Sequence, residues 1–170
     1  DAVNREFQSF RDLNVYEEIS YKDLKKGYTP IPLHIILELK DNGTRYKARA
    51  VCLGNRQAEA PPDCYSPVAS QLTLRLLMQK LVSTSNYSFL TADISTAFLH
   101  GDLTDSDADY VVVRPPPELC SSERPLWRLR KSLYGLKQAS LKWYEKLSDS
   151  LIKIGYQRSS ADSCLFSRGE

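Results

Sequence analysis

Cysteine, histidine and long apolar runs are all scarce in this sequence. The 4 cysteines lie far apart with no C-x-x-C pair, and only 2 histidines accompany them. Neither a zinc site nor a disulfide scaffold is therefore indicated, and we expect an intracellular, reducing compartment. The apolar stretches are far shorter than the ~20 residues of a membrane helix, and no secretory apolar region is present. We expect no membrane span.

Net charge is also nearly absent. The 170 residues carry 23 Lys and Arg against 21 Asp and Glu, a formal charge of +2, which is too small to indicate a partner. Hydrophobic residues at 42% and charged residues at 26% are ordinary for a globular domain. The length corresponds to one domain or to part of a larger one. Because the chain starts at Asp1 and not at methionine, we expect it to lie within a larger protein.

Hydrophobic periodicity predicts helices and strands without regular β-α-β alternation, which is typical of an α+β fold. The predicted elements are a helix within 1–28, a hairpin over 31–53, a helix after the N-cap Ser70, a buried strand over 87–94, short strands over 110–113 and 127–129, and a helix over about 138–154. The last helix is expected to bury a stripe of five residues: Ala139, Trp143, Leu147, Leu151 and Ile154.

Charge is segregated along the chain although the total is small. The hairpin and the stretch 124–146 are basic, whereas 93–109 carries only acidic charges: Asp93, Asp102, Asp105, Asp107 and Asp109. Two basic lobes could bind a polyanion, and an acidic segment between them could hold a divalent metal. Chance clustering of solvated side chains explains the pattern as well, and charge alone favours that explanation.

Asp93 is the more informative residue. It follows the apolar pair Phe89-Leu90 and precedes Ile94, so we expect it at the end of the buried strand. An unpaired carboxylate in that position is costly. It must be protonated, hydrogen-bonded or bound to a cation, and a capping or ion-paired aspartate meets this requirement as well as a metal ligand does.

Five segments in order along the chain carry a specific resemblance. They are 46–49 (YKAR, with Gly54 and Gln57), 65–69 (YSPVA, with Leu74-Arg75), 91–101 (TADISTAFLHG), 131–139 (KSLYGLKQA, followed by Trp143-Tyr144), and Asp162 with Leu165-Phe166. Together they resemble the motifs of Ty1/copia-type retrotransposon reverse transcriptases. The resemblance implies a right-hand polymerase fold with an antiparallel sheet and packed helices. The chain would be a single domain over 1–170, with about 1–70 fingers-like and about 71–170 a partial palm, without a thumb.

The resemblance also implies roles for the first catalytic motif. Asp93 and the backbone carbonyl of Ile94 would bind Mg²⁺, because two metal ions stabilise the attacking 3′-oxygen and the leaving pyrophosphate. Phe98 would be the steric gate that excludes a ribose 2′-hydroxyl, although a plain core aromatic is the simpler alternative. Lys47 and Arg49 would bind the incoming triphosphate, and ordinary hairpin surface charge is the alternative for both.

The 131–139 segment would complete the nucleotide and template contacts. Tyr134 and Gly135 would pack beside the nucleotide, where glycine allows close backbone approach. Four residues would contact template or nucleotide: Lys131, Lys137, Gln138 and Lys142. For Lys137 and Gln138 the alternative is that they merely begin the helix. The expected partners are therefore an RNA or DNA template-primer and other protein chains of a larger assembly. By family the compartment would be cytoplasm or nucleus, with an organelle open if the domain has been domesticated.

The sequence also departs from the family pattern. The family places an aromatic-x-Asp-Asp motif shortly after the position of Leu165-Phe166, and no Asp-Asp pair occurs in this sequence. Ser140 stands where the family usually has proline, and Ile35 where it commonly has tryptophan. We therefore expect this chain to be catalytically incomplete by itself. Two functions remain open: part of a copia-type RNA-directed DNA polymerase, or a non-enzymatic structural or RNA-contacting subunit derived from one.

Overall fold

The computed structural model describes residues 1–58, 62–85, 87–104, 106 and 110–169. Its helices are α1 (Ala2–Asp12), α2 (Gln71–Ser83) and α3 (Ala139–Lys153). Its strands are β1 (Tyr16–Ile19), β2 (Ile31–Lys40), β3 (Arg45–Cys52), β4 (Val112–Arg114), β5 (Leu126–Leu129), β6 (Gln157–Arg158) and β7 (Phe166–Ser167). Short 3-10 turns occupy Tyr21–Asp23, Asp41–Gly43, Gly54–Arg56, Ala97–His100 and Pro117–Leu119. The mixture of helices and strands confirms the α+β class. Among the helices described here, none has the length and apolar character needed to cross a membrane.

The hairpin predicted over 31–53 is confirmed. β2 and β3 pair antiparallel, from Leu33 opposite Cys52 to Lys40 opposite Arg45. The turn between them has positive φ at Asp41 (55°), Asn42 (54°) and Gly43 (93°). Asp, Asn and Gly are the residues that enter this region at least cost, so the turn sequence fixes where the chain reverses.

The hairpin is part of a five-stranded sheet. The strand order is β1-β5-β4-β2-β3, and neighbouring strands are antiparallel except for β2 and β4, which run parallel with Ile31 opposite Val113. β1, β2 and β3 come from the predicted fingers half, whereas β4 and β5 come from the predicted palm half. The predicted boundary near residue 70 therefore does not separate two sheets.

Aromatic side chains from α1, β1 and β5 form the centre of the core. The ring of Trp127 stacks on that of Tyr16 with centroids 3.9 Å apart, and Phe7 meets Trp127 edge-on at 5.8 Å. Phe10 is completely buried and contacts Phe7 at a centroid distance of 5.2 Å. The apolar stripe of α1 thus closes one face of the sheet, and the helix predicted within 1–28 is confirmed.

β1 is a strand that the sequence pattern does not reveal. Its residues Tyr16–Ile19 have the sequence YEEI, which reads as part of a polar connection. The strand forms because β5 offers it a partner, with Tyr16 opposite Leu129 and Ile19 opposite Leu126. Pairing over a long separation in the chain, and not local propensity, decides its conformation.

α3 confirms the last predicted helix, but one residue of its predicted stripe is wrong. Ala139 is buried, and Trp143, Leu147 and Leu151 are half-buried. Ile154 is 58% exposed, because it is the C-cap that follows the last helical residue. The helical spacing that would turn Ile154 toward the stripe ends just before it.

Residues 87–94 correct the prediction of a buried strand. They form no strand, and Phe89 is 60% and Leu90 89% exposed. A strand needs a hydrogen-bonded neighbour, and no described strand pairs with this segment. Asp93 consequently lies in exposed chain and not at the end of a buried strand.

α2 is apolar but exposed, like the segment 87–94 that follows it. It begins at the predicted N-cap, where the Ser70 hydroxyl accepts a hydrogen bond from the Leu72 amide at 3.2 Å, but none of its residues is buried. Its apolar side chains and those of the next segment line a groove of about 290 Å³: Leu74, Leu77, Met78, Leu81, Tyr87 and Phe89. We call this surface the α2 face. Its apolar spacing correctly predicts the helix but not its exposure.

Asp162 ties the start of α2 to the C-terminal β6–β7 hairpin. Its carboxylate accepts hydrogen bonds from the Ser70 amide at 3.0 Å and the Cys164 amide at 2.8 Å. Hydrogen bonding, first from the Thr73 side chain and then from these amides, lowers the pKa of Asp162. The charged carboxylate thus holds α2 by its first turn.

Candidate functional site

A cleft of about 340 Å³ brings together residues from four separate parts of the chain. They come from α1, from β3, from the segment 93–98 and from the loop before α3. The lining side chains are Glu6, Lys47, Arg49, Asp93, Ile94, Ser95, Thr96, Ala97, Phe98 and Tyr134. Six of the predicted site residues therefore meet here: Lys47, Arg49, Asp93, Ile94, Phe98 and Tyr134.

β3 provides the positive charge of the cleft. Ala48 and Ala50 point into the core, with 4% and 0% exposure, so Lys47 and Arg49 lie on the opposite side of the strand. Arg49 Nη1 donates to Glu38 Oε2 at 2.6 Å. Lys40 first, and then Arg49, hold the pKa of Glu38 below its ordinary value. Lys47 forms no ion pair with the described residues, which leaves its ammonium group for a ligand.

The segment 93–98 forms the acidic and apolar side of the cleft. Asp93 and Ile94 are exposed, and the chain then turns at Thr96, whose φ is 53°. Phe98 lies in the 3-10 turn that follows, where its backbone carbonyl accepts a hydrogen bond from Ser132 Oγ at 2.5 Å. This bond attaches Phe98, but not Asp93, to the loop before α3.

Phe98 and Tyr134 form a perpendicular aromatic pair. Their ring centroids lie 4.9 Å apart with the planes at 82°. Burial first, followed by the negative charges of Glu6 and Asp93, raises the pKa of Tyr134, whereas Arg49 lowers it. Charges on three walls of the cleft therefore act on the Tyr134 hydroxyl. Because its pKa is raised, Tyr134 is a neutral phenol at physiological pH.

Gly135 and Gly54 let the loop before α3 dock against the end of β3. The Cys52 amide donates to the Tyr134 carbonyl at 2.8 Å. A Cβ on Gly135 would lie 2.1 Å from the Cys52 carbonyl oxygen, and φ there is +88°. A Cβ on Gly54 would lie 1.9 Å from the Gly135 carbonyl oxygen. Only glycine at both positions permits this approach, which places Tyr134 beside Lys47 and Arg49.

Comparisons with known proteins show the family of the chain. Residues 14–170 match the family model described as reverse transcriptase (RNA-dependent DNA polymerase). The chain is 30% identical, over 97% of its length, to the retrovirus-related Pol polyprotein from transposon TNT 1-94 of Nicotiana tabacum. This chain belongs to the copia-type reverse transcriptase family. No solved structure matches it.

Other relatives show how much of a copia-type polyprotein this reverse transcriptase domain represents. It is 37% identical, over 72% of its length, to the Pol polyprotein from transposon RE1 of Arabidopsis thaliana. It is 32% identical, over its full length, to the truncated transposon Ty1-A Gag-Pol polyprotein of Saccharomyces cerevisiae. The alignments cover 12%, 8% and 14% of the tobacco, Arabidopsis and yeast proteins respectively. The chain thus spans about a tenth of these relatives.

The four residues predicted to contact nucleic acid lie outside the cleft of the reverse transcriptase domain. Lys131 pairs with Asp102, and Lys142 lies 3.5 Å from Glu145. Lys137 Nζ donates to the Gln57 carbonyl at 2.8 Å. Gln138 is completely buried, so its side chain does not reach a surface that nucleic acid could contact in this conformation. The structure therefore gives Gln138 a packing role, whereas nucleic-acid contacts of Lys131, Lys137 and Lys142 stay a prediction.

Gln57 and Gln138 form a buried amide pair between the chain after β3 and the loop before α3. Gln57 Nε2 donates to Gln138 Oε1 at 2.8 Å, and Gln57 Oε1 accepts from the Lys137 amide at 3.2 Å. Gln57 therefore connects the chain after β3 to the loop before α3. In the sequence, the only sign of a role for Gln57 is its place in the family segment. No local pattern shows that it contacts Gln138, which lies 81 residues later.

Glu6 is the charged residue of the cleft that sequence reasoning missed. It sits on α1 beside the apolar stripe, and its Oε1 accepts a hydrogen bond from the Ala50 amide at 3.1 Å. Burial is the largest influence on its carboxyl group and raises its pKa, opposed by the Ala50 hydrogen bond and by the charges of Lys47 and Arg49. The only sign of Glu6 in the sequence is a carboxylate next to the apolar stripe of a helix. This pattern does not indicate that Glu6 contacts β3.

The residues that could hold a metal are few. Among the described residues there is no group of three or more His, Cys, Asp or Glu side chains suited to a metal ion. Asp102, from the predicted acidic segment, instead binds Lys131 and Lys146; Asp105, Asp107 and Asp109 lie outside the described residues. Asp93 and the Ile94 carbonyl are too few to hold a resident ion by protein ligands alone, so a Mg²⁺ ion here would need substrate phosphates for most of its ligands.

Proposed function

We propose that the cleft binds a nucleoside triphosphate as the substrate site of a copia-type RNA-directed DNA polymerase. The observation that supports this is the meeting of Lys47, Arg49, Asp93, Phe98 and Tyr134 in one cleft. These residues come from three separate motifs of the family, and nothing in their local sequence requires them to meet.

Each wall of the cleft suits one part of a nucleotide. Lys47 and Arg49 supply charge-assisted hydrogen bonds to phosphate oxygens. The ring of Phe98, braced edge-on by Tyr134, would face the sugar and exclude a 2′-hydroxyl. Gly135 follows Tyr134 in the chain, and because it has no side chain it leaves room beside this aromatic pair. Asp93 would share a Mg²⁺ ion with the phosphates.

We propose that the chain does not polymerise by itself. A two-metal site clamps the attacking and leaving oxygens with two ions. Of the carboxylates lining the cleft, Asp93 is exposed, and Glu6 is occupied by the Ala50 amide. This set is too small to hold two cations, so substrate binding and catalysis should be separable in this domain.

The α2 face supports the proposal of a protein partner. Leu74 is 54%, Leu77 47% and Phe89 60% exposed, which is unusual for so continuous an apolar surface. We propose that another part of the polymerase, or another chain of its assembly, covers it. We also propose an intracellular, reducing location, in cytoplasm or nucleus by family, with an organelle open if the domain has been domesticated.

The small carboxylate set also favours the second candidate function, a non-enzymatic RNA-contacting subunit. Such a subunit would bind RNA through phosphate contacts, so its affinity would fall steeply as salt rises. A polymerase domain would in addition discriminate dATP from adenosine at the cleft. RNA binding with a steep salt dependence, without any nucleotide binding, would support the subunit over the polymerase.

The proposed function is tested by measuring dATP binding and nucleotide incorporation with the same purified chain. We expect dATP to bind, adenosine to bind far more weakly, and no incorporation on a primed RNA template. Lys47→Gln should weaken dATP binding about tenfold or more, the scale of a hydrogen bond to a charged group. Lys26→Gln removes an exposed charge outside the cleft and is the matched control. If the unmodified chain shows no preference for dATP over adenosine, the proposed site is wrong; template-directed incorporation would show instead that the chain is catalytically complete.

A further inference from the structure

Glu6 is the one carboxylate in the cleft that comes from α1. It lines the cleft together with Lys47 and Arg49. It also lines an adjoining groove of about 210 Å³ between α1 and β3, to which Lys47 again contributes. Glu6 is therefore next to Lys47 in both cavities and next to Arg49 in the cleft.

The Glu6 carboxylate also accepts a hydrogen bond from the edge of β3. β3 is the outermost strand of the described sheet, so no described strand lies beyond it to accept a hydrogen bond from the Ala50 amide. Ala50 is completely buried, and its amide donates to Glu6 Oε1. Without this acceptor the buried amide would have no partner, a defect that costs about 1–3 kcal/mol.

The position of Ala50 connects this bond to the substrate cations. Ala50 directly follows Arg49, and Lys47 lies two residues before Arg49 on the same side of β3. Holding the Ala50 amide therefore holds the part of the strand that carries both cations. The same carboxylate places a negative charge among cations whose proposed ligand is also an anion.

We propose that Glu6 is a positioning residue of the nucleotide site, with two opposite effects. Its hydrogen bond fixes β3 so that Lys47 and Arg49 face the cleft. Its charge reduces the positive potential that Lys47 and Arg49 present to the triphosphate, and so limits the affinity for nucleotide. This inference rests on the proposed function, because it assigns Glu6 a part in the same site.

Two substitutions separate the hydrogen bond from the charge. Glu6→Gln keeps an oxygen that can accept from the Ala50 amide but removes the charge, so we expect dATP to bind about two- to fivefold more tightly, the scale of a partly screened ion pair. Glu6→Ala removes both, so dATP should bind more weakly than to the unmodified chain. Asp12→Asn removes an exposed charge from the same helix and should leave the affinity unchanged.

Amide hydrogen exchange at Ala50 tests the positioning effect without any nucleotide. We expect Ala50 to exchange faster in Glu6→Ala and to stay protected in Glu6→Gln, with the amides of β5 unchanged in both. Equal protection of Ala50 in all three chains would overturn the positioning effect, and weaker dATP binding by a folded Glu6→Gln chain would overturn the charge effect. If the unmodified chain does not bind dATP, the proposed function and the charge effect are both wrong, and exchange at Ala50 alone still decides whether Glu6 positions β3.

Discussion

The two main walls of the cleft are built in different ways. The cationic wall belongs to the five-stranded sheet, and the Ala50 and Cys52 amides of its strand donate hydrogen bonds to the Glu6 carboxylate and the Tyr134 carbonyl. The carboxylate wall at Asp93 belongs to exposed chain that pairs with no described strand. The groups proposed to bind phosphate are thus preorganised by the packing of this chain, whereas the group proposed to bind metal is not.

This difference extends to the regions behind the two walls. Behind β3 lies the aromatic core around Phe10 and Trp127, both essentially inaccessible to solvent. The segment 87–92, which leads to Asp93, and α2 both carry exposed apolar side chains. Mutations should therefore have large effects on one side and small effects on the other, and each prediction below compares the two or changes one of them.

The largest loss of stability is expected from truncating a side chain in the core. Phe10→Ala should lower the free energy of unfolding by about 3–5 kcal/mol, because it removes a fully buried ring and leaves a cavity. Leu90→Ala removes an apolar side chain that is 89% exposed and should change it by less than about 0.5 kcal/mol. Urea unfolding of the two variants measures both. Similar losses would show that 87–94 packs as tightly as the core, contrary to the structure.

The next effect tests the contact between β3 and the loop before α3. Gly135→Ala combines left-handed backbone strain with a Cβ that would lie 2.1 Å from the Cys52 carbonyl oxygen, so we expect a loss of about 2–5 kcal/mol. Gly27 has a similar φ of +84° but open space around its Cα. Gly27→Ala should therefore cost only the strain, about 1–2 kcal/mol. Equal losses in thermal unfolding would mean that the close contact at Gly135 contributes nothing.

A smaller loss should follow from removing the buried amide pair. Gln57→Leu leaves the oxygen of Gln138 and the amide of Lys137 without their partner, so we expect a loss of about 1–3 kcal/mol. It should also weaken dATP binding, because the loop carrying Tyr134 loses one attachment. Gln79→Leu on the exposed α2 is the matched control. A destabilised Gln57→Leu chain that binds dATP normally would show that this link does not shape the cleft.

The smallest effect is a local one at α2. Since the pKa of Asp162 is lowered from its ordinary 3.8 in the folded chain, its stabilising contribution is complete above that value and is lost as pH falls through the lowered pKa. We expect the amides of α2 to lose protection from hydrogen exchange in this acidic range. Asp162→Asn should show weaker protection already at neutral pH, without that acidic step. Asp149→Asn, on the exposed side of α3, should behave like the unmodified chain.

Local sequence signals predicted the elements whose structure is decided locally. The Asp41–Gly43 turn, the Ser70 N-cap and the apolar spacing of α3 each specify their element without help from distant residues. They could not predict β1, because its pairing with β5 is set by a strand more than a hundred residues away. The same signals placed 87–94 in a strand, because apolar composition shows a need for burial but not whether a partner strand is present.

The site was predictable to a similar extent. Motif resemblance selected six residues that do converge, Lys47 and Phe98 among them, although it could not say which would be held rigidly. It gave Gln138 a ligand-contacting role, whereas the structure buries it against Gln57. It missed Glu6, because the bond to Ala50 spans 44 residues and joins a helix to a strand edge.

The measurement that tests this account most directly compares dATP binding by Lys47→Gln and Asp93→Asn in the presence of a chelator. Because the cationic wall is preorganised, we predict that Lys47→Gln weakens binding about tenfold or more. Asp93→Asn should leave the affinity unchanged or slightly raise it, since it removes a negative charge near the phosphates. The reverse order, with binding lost in Asp93→Asn and retained in Lys47→Gln, would contradict the account.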